Sequence, residues 1–220
     1  MKTPAAIPKP LLRGYFHAAM VPLAVAATAW LALSSRDTPA KLVSMLVYGS
    51  AMVILFAFSG VYHIGTWGPR AREVLRRLDH SNIYLLIAGT YTPVAVSILE
   101  GFERAAVLAG VWVPAVAGIV VVGTGLRTAR WVSALLYVLV GWVALAFLPA
   151  LIHHFTPAAL VLVLCGGACY TAGAVCYATR RPRLWPRVFG YHEVFHLLVI
   201  AGTAVLFAFI LRYVVPATPA

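Results

Sequence analysis

The chain is poor in charged residues, and poorest in acidic ones. Only 10% of its 220 residues are charged, and six Asp and Glu stand against 17 Lys and Arg. A soluble domain carries about 25% charged residues. So few charges cannot cover an apolar fraction of 62%. The composition therefore excludes a soluble globular protein and predicts an integral membrane protein.

Long polar segments and cysteine motifs are also missing. We therefore expect one membrane domain, residues 1–220, with no second soluble domain. The cysteines lie in a single apolar run without a CxxC spacing or an adjacent histidine, so they predict small packing residues rather than a thiolate metal site or a disulfide. They are Cys165, Cys169 and Cys176.

What the chain does have is basic charge, with a formal net charge of +11. In a soluble protein this excess would suggest a nucleic-acid partner. Here the basic residues occupy short gaps between apolar runs, which indicates membrane topology and contact with anionic headgroups. The expected partners are therefore membrane lipids, as substrate or ligand, and not nucleic acid.

Seven apolar runs are long enough to cross a bilayer as helices, which needs about 20 residues each. They predict an all-α polytopic membrane protein, a bundle of seven transmembrane helices, whose oligomeric state the sequence leaves open. The runs are Tyr15–Leu33, Leu42–His63, Ser81–Leu99, Ala105–Leu126, Val132–Ile152, Ala158–Ala178 and Val194–Val215.

The basic residues alternate between the gaps in a way that predicts orientation. Thirteen of the 17 lie in the N-terminal tail and in every second gap, and the other four are Arg36, Lys41, Arg104 and Arg212. Because cytoplasmic loops carry the excess of Lys and Arg, we expect a multi-pass protein of the cell membrane (inner or plasma) with its N-terminus in the cytoplasm and its C-terminus outside. The first run, which follows Lys2, Lys9 and Arg13, also resembles a signal peptide, but no convincing cleavage site accompanies it.

Ionisable side chains gather at the cytoplasmic ends of the predicted helices. His63 ends helix 2, Asp79 and His80 open helix 3, and His17 opens helix 1; the opening of helix 7 adds His192, Glu193 and His196. Such residues are expensive in a membrane and indicate function. Simpler interpretations exist: Asp79 as a helix cap, Ser59 as a small packing residue, and His17 and His80 facing headgroups. His153 and His154, in an outer gap, are expected to face water.

We predict a Zn²⁺ site made by His63, His192 and His196. His192 and His196 share a helix face because they are four residues apart, and neutral imidazoles suit Zn²⁺. A fourth, open position would hold water. Asp79 would bind or deprotonate that water, and Ser59, one turn from His63, would support the site or position substrate.

The spelling His192-Glu193-Val194-Phe195-His196 is also the H-E-x-x-H pattern of zinc proteases, in which the glutamate is the general base. A membrane-embedded protease needs a third ligand, typically an Asp in an L-D-G-like stretch. This chain has Leu78-Asp79-His80 instead and offers His63 as the third ligand. Glu193 and Asp79 therefore compete for the role of base, and we favour Asp79.

Three stretches, FSGVYHI, RRLDHSNIYLLIAGTYTP and GYHEVFHLLVIAGT, resemble the signatures of the hemolysin III proteins, the bacterial branch of the progestin and adiponectin-receptor (PAQR) family. That family belongs to a wider group of membrane hydrolases that includes alkaline ceramidases. Its shared pattern of Ser-x-x-x-His, Asp and His-x-x-x-His falls here on Ser59 and His63, Asp79, and His192 and His196. The resemblance implies seven helices and a zinc held by the three histidines near the cytoplasmic face, with Asp79 touching the bound water. Glu193 is not part of the shared pattern, which disfavours it as the catalytic base.

Two functions remain open at this stage. One is a zinc-dependent lipid hydrolase that cleaves an amide bond, as ceramidases do, or an ester bond, with a role in membrane lipid homeostasis. The other is a non-enzymatic sensor, receptor or pore-forming hemolysin with a structural zinc. The sequence leaves open whether the protein is an enzyme. Gly89 and Pro93 either kink helix 3 to make room for an acyl chain or serve close packing.

Overall fold

The protein is described by a computed structural model covering residues 10–185 and 187–217, with the backbone alone at Ala150. Lys2 and Lys9 lie outside these residues. The helices are α1 (Tyr15–Leu33), α2 (Pro39–Ile64), α3 (Pro69–Ile98), α4 (Gly101–Gly123), α5 (Arg130–Gly141), α6 (Leu148–His154), α7 (Pro157–Thr179) and α8 (Tyr191–Phe209). A 3₁₀ segment, Val143–Phe147, continues α5, and a π-helical turn, Ile210–Val214, continues α8.

Within the described residues, seven helices are long and apolar enough to cross a membrane. They are α1, α2, α3, α4, α5 with its 3₁₀ continuation, α7, and α8 with its π-helical turn. The predicted all-α polytopic fold is thereby confirmed, and the protein is a multi-pass membrane protein.

The bundle is arranged around α2 and α3. Half of the apolar window of each of these helices is buried, against 17% for α1 and α4. α1 packs on α2, α2 on α3, and α3 on α4, while α5 packs on α7 and α7 on α8. α8 also contacts α1, so the last helix lies beside the first, and α3 contacts α5. The outer faces keep large apolar side chains exposed, as lipid contact requires.

The third helix begins three turns earlier than predicted. The apolar run suggested a start at Ser81, but the helix begins at Pro69, where proline suits the first turn. Glu73 supports the added turns by accepting hydrogen bonds from Arg76, at 2.7 and 3.0 Å, and from Arg77, at 3.2 Å. The predicted basic loop is therefore largely a helical extension of α3.

The fifth span is interrupted, whereas we predicted a continuous helix from Val132 to Ile152. α5 ends at Gly141, and the Tyr91 hydroxyl on α3 donates to the Gly141 carbonyl at 2.6 Å. The same hydroxyl accepts from the Ala144 backbone N–H at 3.0 Å. One tyrosine thus satisfies backbone groups that the break would leave unpaired inside the membrane.

Gly89 serves close packing of α2 against α3. A Cβ there would lie 2.9 Å from the Cβ of Ala51, so only a glycine allows this approach. Neither Gly89 nor Pro93 lines either of the two cavities described below. The close contact therefore supports the packing interpretation for Gly89, while a kink of α3 at Gly89 and Pro93 that makes room for an acyl chain stays a prediction.

Candidate metal centre

Three histidines from opposite ends of the chain meet near one end of the bundle. His63 lies in the last turn of α2, and His192 and His196 lie in the first two turns of α8. One ring nitrogen from each lies within 4.8 Å of the others. The Nε2 atoms of His63 and His192 are 3.1 Å apart. This group could hold a metal ion.

The geometry and the donor chemistry of this group fit a tetrahedral metal. Zn–N bonds of 2.0–2.1 Å put two nitrogen ligands about 3.3 Å apart, close to the 3.1 Å between His63 and His192. His196 Nδ1 is buried and has no hydrogen-bond partner among the described residues. A buried polar nitrogen without a partner is costly, and a bound ligand would remove that cost.

Asp79 joins the cluster from α3. Its Oδ2 lies 3.6 Å from His63 Nε2 and 3.8 Å from His80 Nδ1. The Ser59 hydroxyl, one helical turn before His63, interacts with the Asp79 carboxylate, and Ser59 is buried. Because α3 begins at Pro69, Asp79 lies in the interior of the helix, so the interpretation of Asp79 as a cap is wrong.

His17 is the residue that the sequence interpretation missed. We expected it to face headgroups, but it is only 3% exposed. Its ring stacks on that of His196, with centroids 3.8 Å apart and 14° between the planes. Neither of its nitrogens has a hydrogen-bond partner among the described residues. The sequence carried one available signal, since His17 opens a span at the same membrane end as the other histidines.

Glu193 makes its hydrogen bonds to residues other than the three histidines. Its Oε1 accepts a hydrogen bond from Arg13 Nε at 2.6 Å, and its Oε2 accepts one from the Gly190 backbone N–H at 2.7 Å. The side chain is fully buried. One carboxylate oxygen therefore ties α8 to the segment before α1, and the other caps the start of α8 itself. Both oxygens are engaged as in a structural residue, whereas a zinc protease needs a free base.

Gly14, which precedes α1, lets that helix approach the cluster. It has a φ of +90°, which favours glycine, and a Cβ there would lie 2.6 Å from the Cβ of His63. The conformation and the close approach both require the absence of a side chain. They place His17 beside the three candidate ligands.

Two cavities meet at the histidines. The apolar cavity has a volume of about 100 Å³ and runs between α1, α2, α3, α5, α7 and α8. Its far walls include Leu55, Ile83, Leu86, Val138, Trp142 and Val199, and its near end includes His17, Ser59, Asp79, His192 and His196. The second cavity, which we call the vestibule, has a volume of about 1240 Å³. Its lining includes Arg13, Arg72, Glu73, Arg76, Arg127, Arg130, Arg180 and Arg183, and also His63 and His192.

Comparison with known proteins points to one family. The sequence model for "Haemolysin-III related" proteins matches residues 5–207. The chain is 34% identical to "Hemolysin-3" of Bacillus cereus over 183 residues, which cover 83% of this chain and 80% of that protein. It is 30% identical to the "Hemolysin-3 homolog" of Bacillus subtilis (strain 168) over 174 residues, 79% of this chain and 78% of that protein. With seven apolar helices and a match over nearly its whole length, the chain belongs to the haemolysin III family.

Proposed function

We propose that the protein is a zinc-dependent hydrolase of membrane lipids that cleaves an amide or ester bond. The observation that carries this proposal is the position of the histidines and Asp79, where an apolar cavity inside the bundle meets a polar vestibule. A lipid tail and water can reach this junction from different directions, and hydrolysis of a lipid requires both.

The three candidate ligands, Asp79 and Ser59 each have a role in this reaction. His63, His192 and His196 would hold the zinc, which when bound would polarise a carbonyl and make water a better nucleophile. Asp79 accepts the proton of the water that attacks the carbonyl carbon. When the C–N or C–O bond breaks, Asp79 returns that proton to the leaving amine or alcohol. Ser59 orients Asp79 through its hydroxyl contact.

The apolar cavity suits an acyl chain. Its lining on α3 extends from Asp79 to Ile87, eight helical steps, or about 12 Å of helix. Most of the side chains that line it beyond the histidines are apolar, as an acyl chain requires. An acyl chain lying along this cavity would place its carbonyl end at the histidines.

The vestibule face is the cytoplasmic one in this proposal. The support is the excess of basic residues on that side of the bundle. Fusion of a reporter to the C-terminus tests this: alkaline phosphatase should be active there, and a green fluorescent protein should not fluoresce. The reverse result would place the histidines on the outer side.

Two measurements on purified protein test the hydrolase proposal. Protein prepared without chelators should contain zinc, and it should release fatty acid from acyl-amide or acyl-ester lipids in a bilayer. Removal of the metal should abolish this release, and added Zn²⁺ should restore it. Zinc-loaded protein that releases no fatty acid from either lipid class would contradict the proposal.

A second function takes its support from the names of the two relatives, "Hemolysin-3" and "Hemolysin-3 homolog", which associate those proteins with haemolysis. In that case the zinc would be structural and would tie α2 to α8. Structural sites are closed, whereas catalytic sites keep an open position. Zinc that exchanges no water in a spectroscopic measurement, together with lysis of red cells by the purified protein, would favour this second function.

A further inference from the structure

The vestibule carries far more positive charge than its own acidic groups can balance. Among the residues that the structure describes, seven arginines line it, against one carboxylate, that of Glu73. They come from α3, α5, the segment before α1, and the α4–α5 and α7–α8 connections. Arginines that only fix the orientation of the chain need to lie in the loops, but they do not need to line one concave surface.

Three of these arginines already have carboxylate partners. Arg13 pairs with Glu193 at 2.6 Å, and Arg76 and Arg127 pair with Glu73 at 2.7 and 3.5 Å. They therefore contribute little to binding a further anion, although they hold the walls of the vestibule in place.

The other four have no carboxylate partner in the part of the chain that the structure describes. They are Arg72, Arg130, Arg180 and Arg183. Arg130 instead donates to the Tyr191 hydroxyl at 2.7 Å and lies over the Tyr177 ring. Guanidinium groups bind phosphate with two parallel hydrogen bonds, and basic pockets between helices on the cytoplasmic side bind lipid headgroups.

The vestibule and the apolar cavity share part of their walls. His80, Tyr137, Tyr177 and His192 line both, so a single molecule can occupy the two cavities at once. Its anionic group would lie among the arginines, its chain would lie in the apolar cavity, and the bond between them would lie at the histidines.

We infer that the vestibule binds the phosphate group of an anionic lipid, so that the substrate class is a phosphate-bearing lipid and not a neutral one. The assignment as a substrate rests on the proposed hydrolase function. The binding of the headgroup does not, because the four arginines without carboxylate partners are separate from the candidate metal ligands.

The test is lipid binding by the full-length protein, measured by native mass spectrometry after release from detergent. The probes are phosphatidylglycerol, phosphatidylcholine and diacylglycerol with the same acyl chains. The wild-type protein should bind phosphatidylglycerol most tightly. Arg72→Gln combined with Arg183→Gln should weaken that binding about 10- to 30-fold, at roughly three- to fivefold per arginine, and leave the binding of diacylglycerol, which has no phosphate, unchanged.

Arg36→Gln is the matched control, because Arg36 is an exposed arginine far from the vestibule lining. It should keep the preference for phosphatidylglycerol. Equal binding of the three lipids by the wild type would overturn the inference, and so would an equal loss in the control. A wild-type preference that is insensitive to salt would also overturn it, since exposed charges are screened; this measurement stands even if the double variant fails to fold.

Soluble phosphate is the other ligand that the arginines of the vestibule could bind. Inorganic phosphate should displace phosphatidylglycerol only in large excess, and displacement at equal concentration would overturn the assignment to a lipid. Repeating the binding on chelated protein separates the two proposals. A headgroup preference without any hydrolysis would leave the vestibule assignment standing, and hydrolysis of neutral lipids only, without a preference, would leave the hydrolase standing.

Discussion

The two ends of α2 differ in whether their buried nitrogen-bearing side chains have hydrogen-bond partners. Near its start, Lys41 is 5% exposed, and its ammonium donates to the backbone carbonyls of Val215 and Ala217. Near its end, His63 lies in a cluster where the nitrogens of His17 and the Nδ1 of His196 have no partner among the described residues. Burial is common to both ends. Among the described residues, the unpartnered buried atoms toward the start of α2 are hydroxyl oxygens such as that of Tyr48, whereas those at the histidine end are imidazole nitrogens, which are metal ligands.

Removal of a candidate metal ligand should have the largest effect, because it should abolish metal binding at the histidine end of α2. His63→Ala should reduce bound zinc from about one per chain to almost none, because two histidines cannot close a three-histidine site. Elemental analysis of protein purified without chelators measures this. His153→Ala, at an exposed position, is the control and should retain its zinc. Full zinc content in the His63 variant would contradict the metal site.

Asp79→Asn should separate chemistry from metal binding at the same end. We expect zinc to remain and lipid hydrolysis to fall by about 10²- to 10⁴-fold, the usual contribution of a general base. Fatty-acid release under saturating lipid measures this. Asp37→Asn provides the same chemical change at a side chain that is 96% exposed, and should hydrolyse as the wild type does. Loss of zinc in the Asp79 variant would instead make Asp79 a ligand.

Glu193→Gln should act on stability and not on the chemistry. Arg13 would lose its carboxylate partner in a mostly buried pair, at a cost of about 3 kcal/mol. The melting midpoint in detergent should fall, while zinc and turnover per folded molecule should be unchanged. Glu103→Gln, in the exposed first turn of α4, should change stability by less than about 0.5 kcal/mol. A loss of turnover without a loss of stability would restore Glu193 as a base.

Lys41→Met should have the smallest effect on stability. It tests whether the start of α2 is independent of the histidine end. It removes hydrogen bonds from a charged donor, worth about 2 kcal/mol, and leaves two carbonyls near the chain's end without that donor. The melting midpoint should fall, and the zinc content should be unchanged. Loss of zinc from this variant would mean that the two ends of α2 are coupled, against the separation argued above.

Much of this architecture could be predicted from the sequence because the membrane imposes simple rules. Apolar length gave the seven spans, and the spacing of His192 and His196 placed both rings on one face of α8. Hydropathy describes only the part of a helix that lies in lipid, however. It therefore missed the start of α3 at Pro69, where pairs of Glu73 with arginines stabilise a helix in water.

The other features that the sequence did not predict, the break in the fifth span and the burial of His17, depend on contacts between distant segments. The break at Gly141 is stabilised by Tyr91, which lies 50 residues away on α3. His17 is buried because Gly14 allows α1 to approach His63. No periodicity within a single helix contains this information, since the partner in each case belongs to another helix.

The separation of the histidines along the chain has a consequence for biosynthesis. His63 and His192 are 129 residues apart, and Arg13 meets Glu193 across 180 residues. A nascent chain that is still being threaded into the bilayer has no complete ligand set until its final span leaves the ribosome. On the proposed metal site, uptake of the ion would therefore follow insertion of α8, and a product truncated before α8 would lack two of the three candidate ligands.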